Sequence, residues 1–342
     1  MKVGVLTGGG DCPGLNAVIR GVVRKAERTY GDEVVGFLDG WRGLLDDRQM
    51  PLDVEACRGL VTRGGTILGT SRDQPYMFDD GVERVKATMA RHCVDALIVI
   101  GGEGTLSAAA RVHADGVALV GVPKTIDNDV AGTDRTFGFD TAVQTATDAI
   151  DRLRTTAESH DRVIVVEVMG RHVGHIATWA GIAGGATIVL VPEEPFDISA
   201  ICESLRRRHQ RGRFSSIVVV AEGATPAPGT LDVSEPSIDE YGHARLGGIG
   251  SVVADEIEQR TGFETRVTVL GHVQRGGTPS ALDRVLSTWY GVAAMTAAHE
   301  GDFGTMVAFQ NNRVVRMRLD ECVASLKYTH PDLLSVARTF FP

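Results

Sequence analysis

The stretch Ala96-Leu97-Ile98-Val99-Ile100-Gly101-Gly102-Glu103-Gly104-Thr105 decides the fold class. An unbroken apolar run stops at glycine, and a helix-compatible segment follows. A strand with one wet face alternates apolar and polar side chains. A continuous Val/Ile/Leu run marks a strand buried on both faces, as in a parallel sheet covered by helices. The pattern recurs outward in both directions. Val3–Leu6 runs into Thr7-Gly8-Gly9-Gly10, Val117–Val122 into Pro123, and Val163–Val168 into Met169-Gly170. Ile217–Val220 runs into Ala221-Glu222-Gly223, and Val267–Leu270 into Gly271. Helices are predicted over Asn16–Glu27, Ala142–Arg154, Ile198–Gln210 and Gly250–Gln259, and a Pro/Gly/Ser-rich acidic loop over Thr225–Leu246. Alternating strands and helices imply an α/β fold of open, mostly parallel sheets with right-handed crossovers. Ligands in such sheets bind outside the carboxyl ends of the strands, where every glycine-rich motif of this chain falls.

Composition narrows the function. The 342 residues suffice for two domains, and 43% hydrophobic with 23% charged residues is a globular balance. With 35 Lys and Arg against 44 Asp and Glu, the net charge of −9 argues against general nucleic-acid binding. An acidic protein can still bind phosphates through local arginines and backbone N–H groups. The five cysteines have no zinc-type or CxxC spacing and read as reduced thiols. No apolar run approaches the ~20 residues of a membrane span, and Met1-Lys2 leads straight into the strand-like Val3–Leu6, so a cytoplasmic protein without a signal peptide is expected.

Four motifs carry chemistry. Thr7-Gly8-Gly9-Gly10-Asp11-Cys12-Pro13-Gly14 offers bare N–H groups at a helix start, suited to an anion, though it fits neither the dinucleotide nor the P-loop spacing and equally describes an ordinary turn. Gly101-Gly102-Glu103-Gly104-Thr105 sets a carboxylate among phosphate-cradling glycines, a pairing that suits Mg²⁺ with substrate phosphates; the alternative is a turn with a solvated glutamate. In Pro123-Lys124-Thr125-Ile126-Asp127-Asn128-Asp129, an extended backbone would turn Thr125, Asp127 and Asp129 to one side. One carboxylate could then accept a hydroxyl proton while the other holds Mg²⁺ or orients the first; an Asx-rich turn is the competing reading. Arg72, Arg162, Arg171, Arg266, His272 and Arg275 lie beside strand ends, where arginine suits bidentate phosphate recognition, although each alone reads as a solvated surface residue.

With these residues assembled, the chain strongly resembles the bacterial-type 6-phosphofructokinase family over nearly its whole length. The resemblance rests on Gly-Gly-Asp-x-Pro-Gly-x-Asn at 9–16, Thr-Ile-Asp-Asn-Asp at 125–129, Val-Glu-Val-Met-Gly-Arg at 166–171, Glu222, and Gly-His-Val-Gln-Arg-Gly-Gly at 271–277. It implies two α/β lobes with the active site between them, drawn at 1–138 plus about 251–304 for the phosphoryl donor and 139–250 plus about 305–342 for fructose 6-phosphate. It also implies ATP or pyrophosphate as donor, Mg²⁺ as cofactor, and an oligomer, usually a tetramer. Carried over by position, Asp127 is the base for the sugar 1-hydroxyl, Thr125 touches the transferring phosphoryl group, and Asp129 and Arg171 complete the catalytic set. Gly10, Trp41, Arg72, Asp73, Gly102, Glu103, Gly104 and Thr105 hold the donor, with Trp41 near the adenine and Glu103 as metal ligand. Met169, Gly170, Arg171, Glu222, His272 and Arg275 bind the sugar phosphate, and Arg162 and Arg266 reach it from a neighbouring subunit.

Departures from the family pattern fall on the donor. Glu103 stands where many members have Asp. Pyrophosphate users tend to have Asp at 104 and Lys at 124, and ATP users Gly at both; this chain has Gly104 and Lys124, as in a mixed, actinobacterial-like branch. A carboxylate at 104 would block the α-phosphate, whereas Lys124 can swing aside, so ATP is expected. A reversible pyrophosphate-dependent enzyme is the alternative, and a non-catalytic sugar-phosphate sensor is disfavoured by the intact acidic cluster. The family's regulatory nucleotide site looks eroded, with Val54 for an arginine and Thr187 for a metal-binding glutamate.

Overall fold

A computed structural model describes residues 1–231 and 247–340. In chain order the strands are β1 (Lys2–Gly8), β2 (Glu33–Phe37), β3 (Gln49–Leu52), β4 (Ala96–Gly101), β5 (Leu119–Thr125), β6 (Phe137–Gly138), β7 (Val163–Val168), β8 (Ile188–Leu190), β9 (Ser216–Ala221), β10 (Thr265–Val269), β11 (Thr305–Gln310) and β12 (Arg313–Arg318). The chain divides into two compact units, Met1–Thr141 with Arg275–Lys327, and Ala142–Gln274 with Tyr328–Pro342.

The first unit is built on a sheet of order β12-β11-β5-β4-β1-β2-β3, with β6 beside β5. Its centre is parallel: β1 pairs β4 and β4 pairs β5, while β3 and β12 add antiparallel edges. β4 is buried throughout, as its unbroken apolar run requires. Register carries this into the site. Gly8 lies opposite Gly101, and Gly101 opposite Pro123, so the three strands end side by side. The second unit carries an all-parallel sheet of order β10-β7-β9-β8. Val163, Val165, Val218 and Val220 face Ile201, Leu205, Val253 and Ile257 from the helices Ile198–Gln210 and Ile249–Thr261 in one apolar cluster.

The α/β class of open, mostly parallel sheets flanked by helices is therefore as read from the sequence, and so are its strand ends. The lobe boundaries need correction. Residues 251–274 belong to the second unit, because β10 hydrogen-bonds β7. Residues 305–327 belong to the first, because β11 pairs β5 and Met306, Ala308, Leu319 and Cys322 share a core with Leu97 and Val99. The helix expected over Ala142–Arg154 extends over Phe139–His160, and the one over Asn16–Glu27 runs Leu15–Lys25 and ends in a π-turn over Ala26–Tyr30. Of the expected loop Thr225–Leu246, residues 225–231 are turns with a single bridge from Pro226 to Phe196, and residues 232–246 lie outside the described residues.

The Phe139–His160 helix is tied at its start to the helix Ala281–Glu300. Ser280, the N-cap of the latter, donates to Asp140 (2.6 Å), and the fully buried Asp283 accepts from both the backbone N–H (2.8 Å) and the hydroxyl of Thr141. Burial pushes the Asp283 carboxyl up to about 6, against the pull of the Thr141 bonds. A folded-state value above the unfolded one favours folding in the protonated form. That contribution is complete below the unfolded value of about 4 and is lost as pH rises through about 6. Asp283→Asn is expected to flatten stability against pH by roughly 3 kcal/mol between those limits. Denaturant titrations across pH 4 to 7 check this; an unchanged wild-type slope in the variant would show that the carboxyl ionises normally.

Candidate active site

The first unit gathers the glycine-rich motifs by packing. Thr105, on the first turn of the helix Glu103–Ala114, sits against the ends of both β1 and β4: a Cβ on Gly8 would come within 2.7 Å of its side chain, and one on Gly101 within 2.3 Å. Both strands must end in glycine for this threonine to close the gap. The loop bearing Arg72 is bonded to the same place. Gly9 N–H donates to the Ser71 carbonyl (2.9 Å), the Thr70 hydroxyl to the Gly9 carbonyl (2.5 Å), and the Thr7 hydroxyl to the Gly69 carbonyl (2.7 Å). Arg72 is thereby held exposed beside the glycine loop, and Asp73 pairs with Arg42 (3.3 Å). A Cβ on Gly10 would meet the Arg275 guanidinium at 2.8 Å, so Arg275, read from the sequence as a sugar-phosphate ligand, lies against the glycine loop that follows β1 in this structure. Gly102 precedes the helix, the Gly104 carbonyl accepts from the Gln74 amide (3.2 Å), and the exposed Glu103 accepts from the Ser107 hydroxyl (2.8 Å).

The segment after β5 turns instead of continuing extended. The Thr125 hydroxyl accepts from Asp127 N–H (3.0 Å), and Asn128 has φ of +56°. Asn is among the few residues that tolerate this conformation. The alternation of exposure nevertheless survives. Thr125, Asp127 and Asp129 are half-buried, whereas Lys124, Ile126, Asn128 and Val130 are buried. Lys124, 4% exposed, donates to the Gly10 carbonyl, and burial holds its ammonium below the usual lysine range. Burial likewise pushes the neighbouring Cys12 thiol up, which keeps it unreactive.

Trp41 is a correction. Its ring is 1% exposed in a core with Leu6, Leu44 and Leu97, so it has no free face for a base. Aromatic character alone could not distinguish a stacking platform from a core residue.

In the second unit, the end of β7 presents Met169, Gly170 and Arg171. Gly170 has φ of +135° and a Cβ there would meet the Val173 carbonyl at 2.7 Å, so only glycine fits. Glu222 N–H donates to the Val168 carbonyl (2.8 Å) and Gly223 N–H to the Gly170 carbonyl (3.0 Å), which fastens the β9 end beside Arg171. Gln274, fully buried, accepts from Met169 N–H (3.4 Å) and donates to the Gly271 carbonyl (3.1 Å), joining the Met169 turn to the one that carries the exposed His272. One Glu264 oxygen binds both Arg162 (2.8 Å) and Arg266 (2.5 Å), and Arg162 is the main cause that holds this carboxyl below the usual range.

Sequence reasoning missed the residues that hold these turns. Gln274 is one. Lys327 is another: its ammonium donates to Asn128 Oδ1 (2.8 Å). No local pattern signals either, since their partners lie 105 and 199 residues away.

Comparison with known proteins agrees with this reading. The family described as Phosphofructokinase matches residues 2–298. The chain is 56% identical to a pyrophosphate–fructose 6-phosphate 1-phosphotransferase of Streptomyces coelicolor, over 100% of both chains. It is also 56% identical to an ATP-dependent 6-phosphofructokinase of Corynebacterium efficiens, over 100% of this chain and 99% of that one. Among solved structures, a Pichia pastoris phosphofructokinase superposes with a TM-score of 0.84 at 32% identity, over 99% of this chain and 36% of that longer one. A family match over residues 2–298, with relatives 56% identical over essentially their whole length, shows that the chain belongs to the phosphofructokinase family, phosphotransferases that act on a hydroxyl group.

Proposed function

We propose that this phosphofructokinase transfers the γ-phosphoryl group of ATP to the 1-hydroxyl of fructose 6-phosphate, giving fructose 1,6-bisphosphate, as a cytoplasmic glycolytic enzyme assembled as a homotetramer. The observation that carries the choice of donor is the open space at Gly104, where among the described residues a Cβ would meet only the Gln74 amide, at 3.4 Å. The Lys124 ammonium is in addition committed to the Gly10 carbonyl inside the protein. Both features leave room for an α-phosphate. The second reading, pyrophosphate as donor in a reversible reaction, draws support from the cation itself, which lies beside Gly9 and Gly10.

Phosphoryl transfer is chiefly positioning and neutralisation of charge. On this reading Asp127 accepts the proton of the attacking hydroxyl, with Asp129 beside it and Thr125 against the transferring group. Arg72, Arg171 and the N–H groups of 102–105 neutralise its oxygens. Met169, Gly170, Glu222, His272 and Arg275 hold the sugar phosphate, and Arg162 and Arg266 serve a neighbouring subunit. The protein offers no metal cage: among the described residues no group of three His, Cys, Asp or Glu is placed to bind an ion. A hard cation that keeps its waters and donor phosphates needs only one or two carboxylates, which the exposed Glu103 fits. Glu103 would hold Mg²⁺ there, and the cation would supply neutralisation of the donor's charge.

A coupled assay offering each donor separately with fructose 6-phosphate tests the reading; strong turnover on pyrophosphate alone would reverse it. Asp127→Ala is expected to lower kcat by ~10²–10⁴ with the donor KM little changed, and near wild-type turnover would remove the base assignment. Gly104→Asp places a carboxylate at the α-phosphate position and is expected to raise the KM for ATP at least tenfold while sparing the KM for fructose 6-phosphate; steady-state kinetics with ATP varied decide, and unchanged values would refute the steric argument.

A further inference from the structure

The turn that carries the two aspartates is not self-supporting. Asn128 lies in the left-handed region, which asparagine tolerates better than most residues but which neighbouring contacts must still select over the extended alternative. Its Oδ1 accepts from Thr136 N–H (3.0 Å) and from the Lys327 ammonium (2.8 Å). The same ammonium donates to the carbonyls of Thr133 (2.8 Å) and Asp134 (3.1 Å). An ammonium carries three N–H donors, which lets one side chain reach several acceptors of this turn at once. The backbone of Lys327 grips the segment as well. Its N–H donates to the Asp129 carbonyl (2.8 Å), and Leu326 forms an antiparallel bridge with Val130. One residue thus fixes the segment on both sides of Asn128.

We propose that Lys327 is a positioning residue for phosphoryl transfer, its ammonium locking the Asn128 turn so that Asp127 and Asp129 keep their reactive orientation. The charge is retained against its surroundings: burial draws the ammonium down to about 8, Asp129 and Asp134 favour the charged form, and Arg135 opposes it. A lysine serving only solubility would sit in water at no such cost. What the desolvated cation provides is direction. The dihedral angles at Asn128 set where both neighbouring carboxylates point, and displacement of a reacting group by about 1 Å can cost ~10²-fold in rate. The inference rests on the reading of Asp127 as the base.

Lys327→Met keeps the apolar stem and removes the charge. We expect its kcat to fall about tenfold to hundredfold while KM for ATP and for fructose 6-phosphate stay within about twofold. Lys327→Ala, assayed with added propylamine to replace the missing arm, regains part of the lost kcat in a saturable way. In an Asp127→Ala background Lys327→Met costs less than about twofold more, because residues that act as a unit are not additive. Wild-type kcat in Lys327→Met overturns the proposal, and so does an equal loss in both backgrounds or a loss untouched by propylamine. Should Lys327→Met not fold, Lys327→Arg keeps the charge in a fork of different shape and is expected to show the same split between kcat and KM. Full turnover in Asp127→Ala would remove the base assignment, and the kcat and amine response of the Lys327 single variants would then decide the proposal alone.

Discussion

A parallel sheet covered on both faces has no polar outlet along its strands, and its backbone reaches solvent only where the strands stop. The register brings the ends of β1, β4 and β5 side by side, with Gly8 opposite Gly101 and Gly101 opposite Pro123. Thr105 closes the space between the first two and demands glycine at both. The glycine-rich character of these loops is therefore first a packing requirement. The bare N–H groups that suit an anion follow from it, and the Arg72 loop, bonded to Gly9 through Ser71 and Thr70, adds a cation to the same rim.

Two lysines flank the segment beyond β5 and do different work. Lys124 points back to the Gly10 carbonyl and so ties β5 to the glycine loop. Lys327 reaches forward to Asn128, Thr133 and Asp134. Burial lowers the pKa of both. Between them, Thr125, Asp127 and Asp129 remain accessible while their neighbours are buried. The alternation expected of a strand is reproduced by a turn whose side chains are pinned one by one.

The strands were legible because burial on both faces writes an unbroken apolar run, and the site was legible because its polar clusters interrupt such runs. What stayed hidden was pairing at a distance. Nothing near residue 265 says that β10 joins β7, or near residue 305 that β11 joins β5, and the lobe boundaries were misplaced for that reason. Gln274 and Lys327 were passed over because a buried amide or ammonium reveals its role only with its partners in view. Trp41 failed in the opposite sense: a plausible ligand by type, it is consumed by the core.

Relatives named for opposite donors stand at the same 56% identity to this chain, so neither the fold nor overall similarity decides the donor. Two candidates differ in kind. The Gly10 carbonyl would repel any phosphate brought to this loop, and the Lys124 ammonium bonded to it cancels that repulsion whichever donor arrives. Such a contact strengthens the loop for all anions and discriminates poorly between them. On the proposed reading, position 104 would act through exclusion. A side chain there would deny space to the longer donor and leave the shorter one untouched, and discrimination arises more readily from a clash than from a shared attraction. On the proposed reading, the absence of a side chain at Gly104 therefore carries more information about the donor than the presence of a charge at Lys124.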